Sequence, residues 1–193
     1  CISLKRIKIP SSVQMIGSFA FSNCKSLEKI IIPSSVNEIQ GCAFEECSSL
    51  NEVHFIENYS ISVIKGNTFA VCSSLVKINI PDSVKLIESN AFVGCKSLIE
   101  ILFPSSLQKI GGSAFFHCSS LKKVYFESNS SLKSIGSFAF AGCSSLKSIS
   151  IPQSVTSIDN TVFEGCVSLD EIIIHCSIYN MIYFDSGVKI ILI

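Results

Sequence analysis

Residues Leu4–Leu27 read LKRIKIPSSVQMIGSFAFSNCKSL, and the same frame recurs along most of this chain of 193 residues. Its most regular mark is a cysteine that is followed by serine two positions later and by leucine three positions later. Neighbouring cysteines of this kind are separated by 23 or 25 residues, and a fixed period in this range is typical of stacked repeat proteins. We call them the column cysteines: Cys1, Cys24, Cys47, Cys72, Cys95, Cys118, Cys143 and Cys166.

Each unit predicts the same short elements in the same order. The pattern L-x-x-I-x-I, as in Leu27, Ile30 and Ile32, ends in an apolar alternation that predicts a short strand with one buried face. Proline usually follows and ends the strand, because it cannot donate to a ladder. A second short alternation follows, and then Ala-Phe-x-x-Cys, whose spacing predicts a single helical turn. The phenylalanines of this element are Phe21, Phe44, Phe69, Phe92, Phe115, Phe140 and Phe163.

One unit alone cannot bury its leucine, isoleucine and phenylalanine side chains, so the units must stack. In a stacked parallel sheet, equivalent residues lie about 4.8 Å apart and form continuous columns. We therefore predict an α/β repeat solenoid that forms a single domain over residues 1–193, with about eight repeats between Cys1 and Cys166. After Cys166 the frame decays, and we predict a degenerate capping segment over 176–193, in which a turn at Asp185-Ser186-Gly187 leads into a closing strand.

A longer period of 71 residues lies on top of the repeat, since Cys24, Cys47 and Cys72 map onto Cys95, Cys118 and Cys143. This relation indicates the duplication of a block of three repeats. In each block one unit is two residues longer, and the extra residues predict projecting loops. Each loop carries a sequon for N-linked glycosylation, at Asn58 and at Asn129, so both are possible glycosylation sites.

Composition excludes several classes of function. Fifteen basic and fifteen acidic residues leave no net charge, which argues against nucleic acid as a partner. The apolar runs are much shorter than the roughly 20 residues of a membrane-spanning helix, so we expect no direct membrane insertion. The three histidines have no acid or serine partner fixed by the repeat, and the cysteines lack metal-site spacing. We expect no enzyme activity, no catalytic residues, no metal and no cofactor.

The cysteines and serines of the columns are predicted to be structural. Parallel side chains in neighbouring coils suit disulfide geometry poorly, so we expect mostly reduced thiols, with Cys42 and Cys176 the more reactive ones. The serines two positions after each column cysteine are expected to satisfy backbone groups at the bend.

The strand positions that alternate outward form two columns. The residues five positions after each column cysteine are mostly charged, with opposite signs in neighbouring coils, which favours register and solubility. The residues seven positions after it include Ile31, Leu102 and Tyr125, and outward apolar side chains of this kind mark interfaces. Scattered exposed apolar residues are also ordinary, so this reading stands beside a purely structural one. The predicted ligand-binding patch comprises His54, Lys77, Asn79, Glu100, Leu102, Lys123 and Tyr125.

The full unit at Leu4–Leu27 closely resembles the leucine-rich repeats of the Bacteroides surface protein A-like (BspA-like) family. The serine-rich and cysteine-rich composition of the repeats is similar to that of the protist, trichomonad-like branch of this family. The resemblance implies a right-handed superhelix with a concave parallel sheet, and display at the cell surface or secretion. The chain departs from the pattern at the missing prolines of the longer units and at Cys42 and Cys176. It opens on Cys1 within a repeat and shows no anchor, so we expect a piece of a longer protein.

The resemblance implies a protein-binding or adhesion module that attaches to a host-cell or matrix protein. A structural stalk or an intracellular repeat scaffold without its own ligand is the alternative. The sequence alone leaves the ligand and the oligomeric state open.

Overall fold

The computed structural model describes residues 1–56, 60–182 and 187–193. Short strands alternate with tight turns, and the first strand of a coil is usually longer than the second. The strands are β1 (Arg6–Lys8), β2 (Met15–Ile16), β3 (Lys29–Ile32), β4 (Glu38–Ile39), β5 (Glu52–Phe55), β6 (Val63–Ile64), β7 (Lys77–Ile78), β8 (Leu86–Ile87), β9 (Glu100–Phe103), β10 (Lys109–Ile110), β11 (Lys123–Phe126), β12 (Ser134–Ile135), β13 (Ser148–Ser150), β14 (Ser157–Ile158), β15 (Glu171–Ile174) and β16 (Lys189–Leu192).

All strand pairs in the described residues are parallel, and equivalent repeat positions face one another. For example, Ile30 pairs with Val53 across β3 and β5, and Ile110 pairs with Ile135 across β10 and β12. The even-numbered strands from β6 to β14 form one continuous five-stranded sheet, which we call the short-strand sheet. The predicted fold, a parallel solenoid of stacked coils, is confirmed.

The longer strands form a second sheet with two interruptions. Its three pieces are β1-β3-β5-β7, β9-β11 and β13-β15-β16, and together we call them the long-strand sheet. At the first interruption, the Ile99 N–H still donates to the Val76 carbonyl, and Lys77 forms an ion pair with Glu100. At the second, the described strands β11 and β13 form no strand pair, although they remain in contact.

The segment predicted to be a single helical turn differs in detail. Its turns are closed by bonds to the third residue back, as from the Cys24 N–H to the Phe21 carbonyl, and the Phe21 N–H donates to Ala43 of the next coil. This arrangement needs left-handed backbone at two positions per coil, for example at Phe19 and Asn23. A helix would direct these N–H groups back along its own axis, whereas here they join neighbouring coils. The one helix assigned in the described ranges is a 3-10 helix over Cys176–Met181.

The phenylalanine column forms the centre of the core. Successive rings from Phe21 to Phe163 stack with centroids 5.1–6.1 Å apart, and they lie within 18° of parallel. Phe103 meets Phe115 edge-on, so the long-strand sheet is joined to the stack. The leucine and isoleucine columns pack around it and are almost entirely buried.

At the C-terminal side, β16 pairs in parallel with β15, from Glu171 opposite Lys189 to Ile174 opposite Leu192. A closing strand was predicted here, and this strand occupies the equivalent position. Of the predicted turn before it, Asp185 and Ser186 lie outside the described residues.

Candidate binding surface

The residues of the predicted patch lie on the outward side of the long-strand sheet. Glu100 is half-buried and the other six residues are exposed. Leu102 and Tyr125 expose about half of their surface, 51% and 47%. Leu102 is exposed because side chains alternate along β9, so that Ile101 and Phe103 on either side of it point into the core.

Five of the seven patch residues are brought together. Tyr125 pairs with Leu102, and Lys123 with Glu100, across β11 and β9. Lys77 reaches the same group from the neighbouring coil, with its Nζ 3.5 Å from the Glu100 Oε1. These five residues, Lys77, Glu100, Leu102, Lys123 and Tyr125, are called the sheet patch below.

The other two predicted residues, His54 and Asn79, lie with Lys77 on the N-terminal side of the first interruption, whereas the other four residues of the sheet patch lie beyond it. His54 lies in β5 and pairs with Ile31 of β3. Asn79 follows the end of β7 at Ile78, so it forms no strand pair in the described structure. The four consecutive positions from His54 to Tyr125 are therefore not one continuous ladder.

Charges in the outward column five positions after each cysteine pair as predicted. Lys29 and Glu52 approach to 2.8 Å, and Lys77 and Glu100 approach to 3.5 Å. Exposed pairs of this kind contribute little stability, at most about 1 kcal/mol each. Their main consequence is that the face carries alternating charge.

A cleft beside Tyr125 was not predicted from the sequence. It opens between the coils of β11 and β13, at the second interruption, and has a volume of about 650 Å³. Its lining combines Tyr125 and Phe126 with polar residues of the long loop and of the following turn, Glu127, Asn129, Gln153 and Ser154. An apolar depression of about 860 Å³ at the opposite end is lined mainly by isoleucine and proline.

The cleft coincides with the absence of a hydrogen bond that three other coils make at this position. The hydroxyls of Ser35, Ser83 and Ser106 each donate to a carbonyl 22 residues earlier, at 2.7 Å. Ser154 occupies the same position of the repeat, yet its buried Oγ has no hydrogen-bond partner. The turn serines, and not the column serines, therefore tie the backbone of neighbouring coils.

The prediction for the column serines is not met. In the described residues, no hydrogen bond is formed by the hydroxyls of Ser26, Ser49 and their equivalents, although the neighbouring Ser73 and Ser144 each donate to a carbonyl of the preceding coil. The bend is instead closed by backbone bonds, so the hydroxyl is not needed there.

Of the two possible glycosylation sites, Asn129 is exposed and has left-handed backbone, with a φ of 59°. It lies in the long loop that lines the cleft. Asn58 lies outside the described residues. Modification of either site stays a prediction.

The column thiols are held inside the stack. From Cys47 to Cys166, each Sγ lies 3.0–3.3 Å from the phenylalanine carbonyl of the preceding coil. Burial raises the pKa of Cys118 to about 12 and that of Cys166 to about 11. Protonated thiols engaged with carbonyls support the prediction that these residues are reduced and unreactive. Cys176 is exposed, while burial and nearby Glu45 raise the pKa of Cys42.

The histidines lie in three unrelated places. His54 is exposed in β5, His117 contacts the Phe116 ring, and His175 Nδ1 accepts from the Ser177 N–H at the start of the 3-10 helix. Within the described ranges, no group of three or more histidine, cysteine, aspartate or glutamate residues could hold a metal ion. No helix among those residues is long and apolar enough to span a bilayer.

A family model described as the BspA type leucine rich repeat region matches the chain in six copies, over residues 1–73 and 62–186. No curated protein matches the chain. Three bacterial proteins of known structure are similar to it. A leucine rich cell surface protein from Faecalibacterium prausnitzii has 34% identity and a TM-score of 0.75, over 84% of this chain and 43% of that protein.

A leucine-rich repeat protein of T. pallidum has 34% identity and a TM-score of 0.58, over 83% of this chain and 62% of its own. The pneumococcal vaccine antigen PcpA has 28% identity and a TM-score of 0.56, over 86% of this chain and 36% of its own. The chain thus spans less than two thirds of the length of each of these proteins.

Proposed function

Because the chain belongs to the BspA-type leucine-rich-repeat family, we propose that it is the protein-binding module of a surface-displayed or secreted protein, which attaches to a host-cell or matrix protein through the sheet patch. The observation that carries the proposal is the contiguous pair Leu102 and Tyr125, exposed side by side on a rigid sheet. Tyrosine often contributes strongly to interfaces, since it buries a large area at low entropic cost.

The charges around this pair support a protein partner. Lys77, Glu100 and Lys123 flank the apolar centre, and an apolar centre with a mixed polar rim is the usual anatomy of a protein interface. The chain carries no net charge, so affinity for a polyanion would have to come from local patches.

Surface display is supported by similarity to a protein described as a leucine rich cell surface protein. The serine-rich and cysteine-rich columns support an origin in the protist branch, whereas the similar solved structures named above are bacterial. A structural stalk remains the second candidate, favoured by the charge-alternating column, which needs no ligand to explain it.

The test compares binding of three forms of the chain to cultured epithelial cells and to matrix stripped of cells. The double variant Leu102→Ser and Tyr125→Ser should weaken binding by more than about 1 kcal/mol. Its melting temperature should hardly change, because neither side chain points into the core. The control Val167→Ser removes an apolar side chain that is 83% exposed and lies in a turn away from the sheet.

Equal binding by the double variant and the wild type would rule out the sheet patch as the binding surface. If no form binds cells or matrix at all, the stalk replaces the binding module as the better account.

A further inference from the structure

We propose that the cleft between the coils of β11 and β13 is a binding site for a neutral saccharide. This goes beyond the protein-binding role of the sheet patch, with which the cleft shares only Tyr125. At about 650 Å³, the cleft lies within the range of roughly 300–1,000 Å³ that is usual for small-ligand sites.

The cleft exists because two neighbouring coils are not joined where their equivalents are. In the first block of the duplication, β5 and β7 pair through Glu52 with Lys77 and through Val53 with Ile78. The equivalent strands of the second block, β11 and β13, form no strand pair. The ladder that closes the sheet in the first block is thus missing in the second.

The hydrogen bonding of Ser154 also differs between the two blocks of the duplication. Its counterpart in the first block, Ser83, donates to the Ile61 carbonyl at 2.7 Å. The Ser154 hydroxyl is buried and has no partner in the chain. Buried polar groups are almost always satisfied by protein, by ordered water or by a ligand, and within the chain this hydroxyl lacks the partner that Ser83 has.

The chemistry of the lining selects the class of ligand. Tyr125 and Phe126 supply aromatic surface, against which the apolar C–H face of a sugar ring can pack. Asn129 and Gln153 carry amides that both donate and accept hydrogen bonds. Sugar hydroxyls likewise donate and accept, so this mixed set matches a ligand with many hydroxyl groups.

Charge argues for a neutral ligand. Glu127 is the one charged residue of the lining, and its Oε2 already accepts a hydrogen bond from the Ser105 N–H at 2.9 Å. The lining holds no lysine or arginine that would compensate a sulfate, phosphate or carboxylate. An anionic ligand would therefore face the carboxylate of Glu127 without a counter-charge.

The experiment titrates the isotope-labelled chain with a panel of maltotriose, cellotriose, chitotriose, mannotriose and galactobiose, and follows its amide signals by NMR. A sulfated heparin tetrasaccharide serves as the anionic comparison. At least one neutral saccharide should shift the amides of Tyr125, Glu127 and Gln153, while those of β1 and β3 stay in place.

The cleft variant Asn129→Gly with Gln153→Ala removes both amides, and glycine keeps the left-handed backbone at position 129. Its affinity for that saccharide should fall by about tenfold or more, as expected for the loss of two hydrogen-bonding groups. The amide spectrum itself reports that the variant is folded.

The control variant Leu102→Ser alters the sheet patch outside the cleft lining and should bind the saccharide normally. Conversely, the cleft variant should keep its attachment to cells, so the two proposals fail separately. The proposal is overturned if no neutral saccharide shifts the cleft signals, if only the heparin fragment binds, or if the cleft variant binds as tightly as the wild type.

Discussion

Val71 has left-handed backbone, with a φ of 58°, although it is β-branched and 45% exposed. The same position is glycine in three later coils, at Gly94, Gly142 and Gly165. Left-handed backbone costs a residue with a Cβ roughly 1–2 kcal/mol, and a β-branched side chain suits it least. We expect Val71→Gly to raise the free energy of unfolding by about 0.5–1 kcal/mol, because part of this gain is offset by the greater freedom of glycine in the unfolded chain.

Denaturant unfolding of Val71→Gly measures the effect, and the reverse change Gly94→Val is the matched control. Gly94→Val should destabilise by about 1–2 kcal/mol, as it places the same strain in the next coil. The account of strain is wrong if Val71→Gly lowers the stability as much as Gly94→Val does.

The turn serines allow a second comparison between equivalent residues. The Ser106 hydroxyl donates to the Val84 carbonyl at 2.7 Å, whereas the Ser154 hydroxyl is buried without a partner. Loss of a hydrogen bond of this kind costs about 1 kcal/mol, but removal of an unsatisfied hydroxyl costs almost nothing. Ser106→Ala should therefore lower the melting temperature measurably, while Ser154→Ala should leave it unchanged or raise it. A large loss for Ser154→Ala would show that the hydroxyl does have a partner in the folded protein.

At the scale of the element, the cysteine column makes stability depend on alkaline pH. Burial raises the pKa of Cys118 to about 12, above its value of about 9 in the unfolded chain. The raised pKa means that the thiol's contribution is fully present below pH 9 and is lost as the pH rises toward 12, since only the unfolded chain releases the proton. Each fully buried thiol adds up to about 1.4 kcal/mol per pH unit to this loss.

The slope of unfolding free energy against pH, measured between about pH 9 and 11, tests this. Cys118→Ala should have a shallower slope than the wild type, whatever its absolute stability. Cys176→Ala changes an exposed thiol outside the column and should retain the full slope. Identical slopes for all three proteins would exclude a role for the column in the pH dependence.

The elements that could be predicted from sequence are those whose residue pattern recurs in every repeat. The strand at Lys29–Ile32 and the stack of phenylalanine rings follow from apolar positions that recur in each unit, so each coil repeats the evidence. The position of the two predicted residues outside the sheet patch, His54 and Asn79, depends on a feature of another kind. Whether neighbouring strands pair depends on backbone geometry between coils, which the column pattern does not encode.

The cleft beside Tyr125 could not be predicted from the sequence for the same reason. Pro152, Gln153 and Ser154 fit the repeat as well as Pro81, Asp82 and Ser83 do, yet only the second coil pair is open. The duplication gave no reason to distinguish them, since the two blocks have the same lengths. A difference in strand pairing that leaves the repeat pattern intact is visible only in three dimensions.

Across the whole molecule, the short-strand sheet and the phenylalanine stack join what the long-strand sheet leaves apart. β12 and β14 pair through Ser134 with Ser157 and through Ile135 with Ile158, next to the second interruption. The ring of Phe140 stacks on that of Phe163 at 6.1 Å. In repeat proteins, cooperativity depends on the interfaces between neighbours, so the coils after this interruption should be coupled to the rest less firmly than others.

A proline in the short-strand ladder tests this coupling. The N–H of Thr156 donates to the Lys133 carbonyl beside the open coil pair, and the N–H of its duplicate, Lys85, donates to the Ser62 carbonyl beside the paired strands β5 and β7. Proline removes this donor in either variant. Thr156→Pro leaves no backbone ladder on the long-strand side to compensate, so residues 144–193 should unfold in a separate, earlier step. Lys85→Pro should lower stability but keep a single transition, because β5 and β7 still hold the coils together.

Hydrogen exchange followed by mass spectrometry through a denaturant series distinguishes the two patterns. A single transition for Thr156→Pro would mean that the phenylalanine stack and the backbone bonds of the turn segment, such as that from the Phe140 N–H to the Val162 carbonyl, suffice to couple the coils across the cleft.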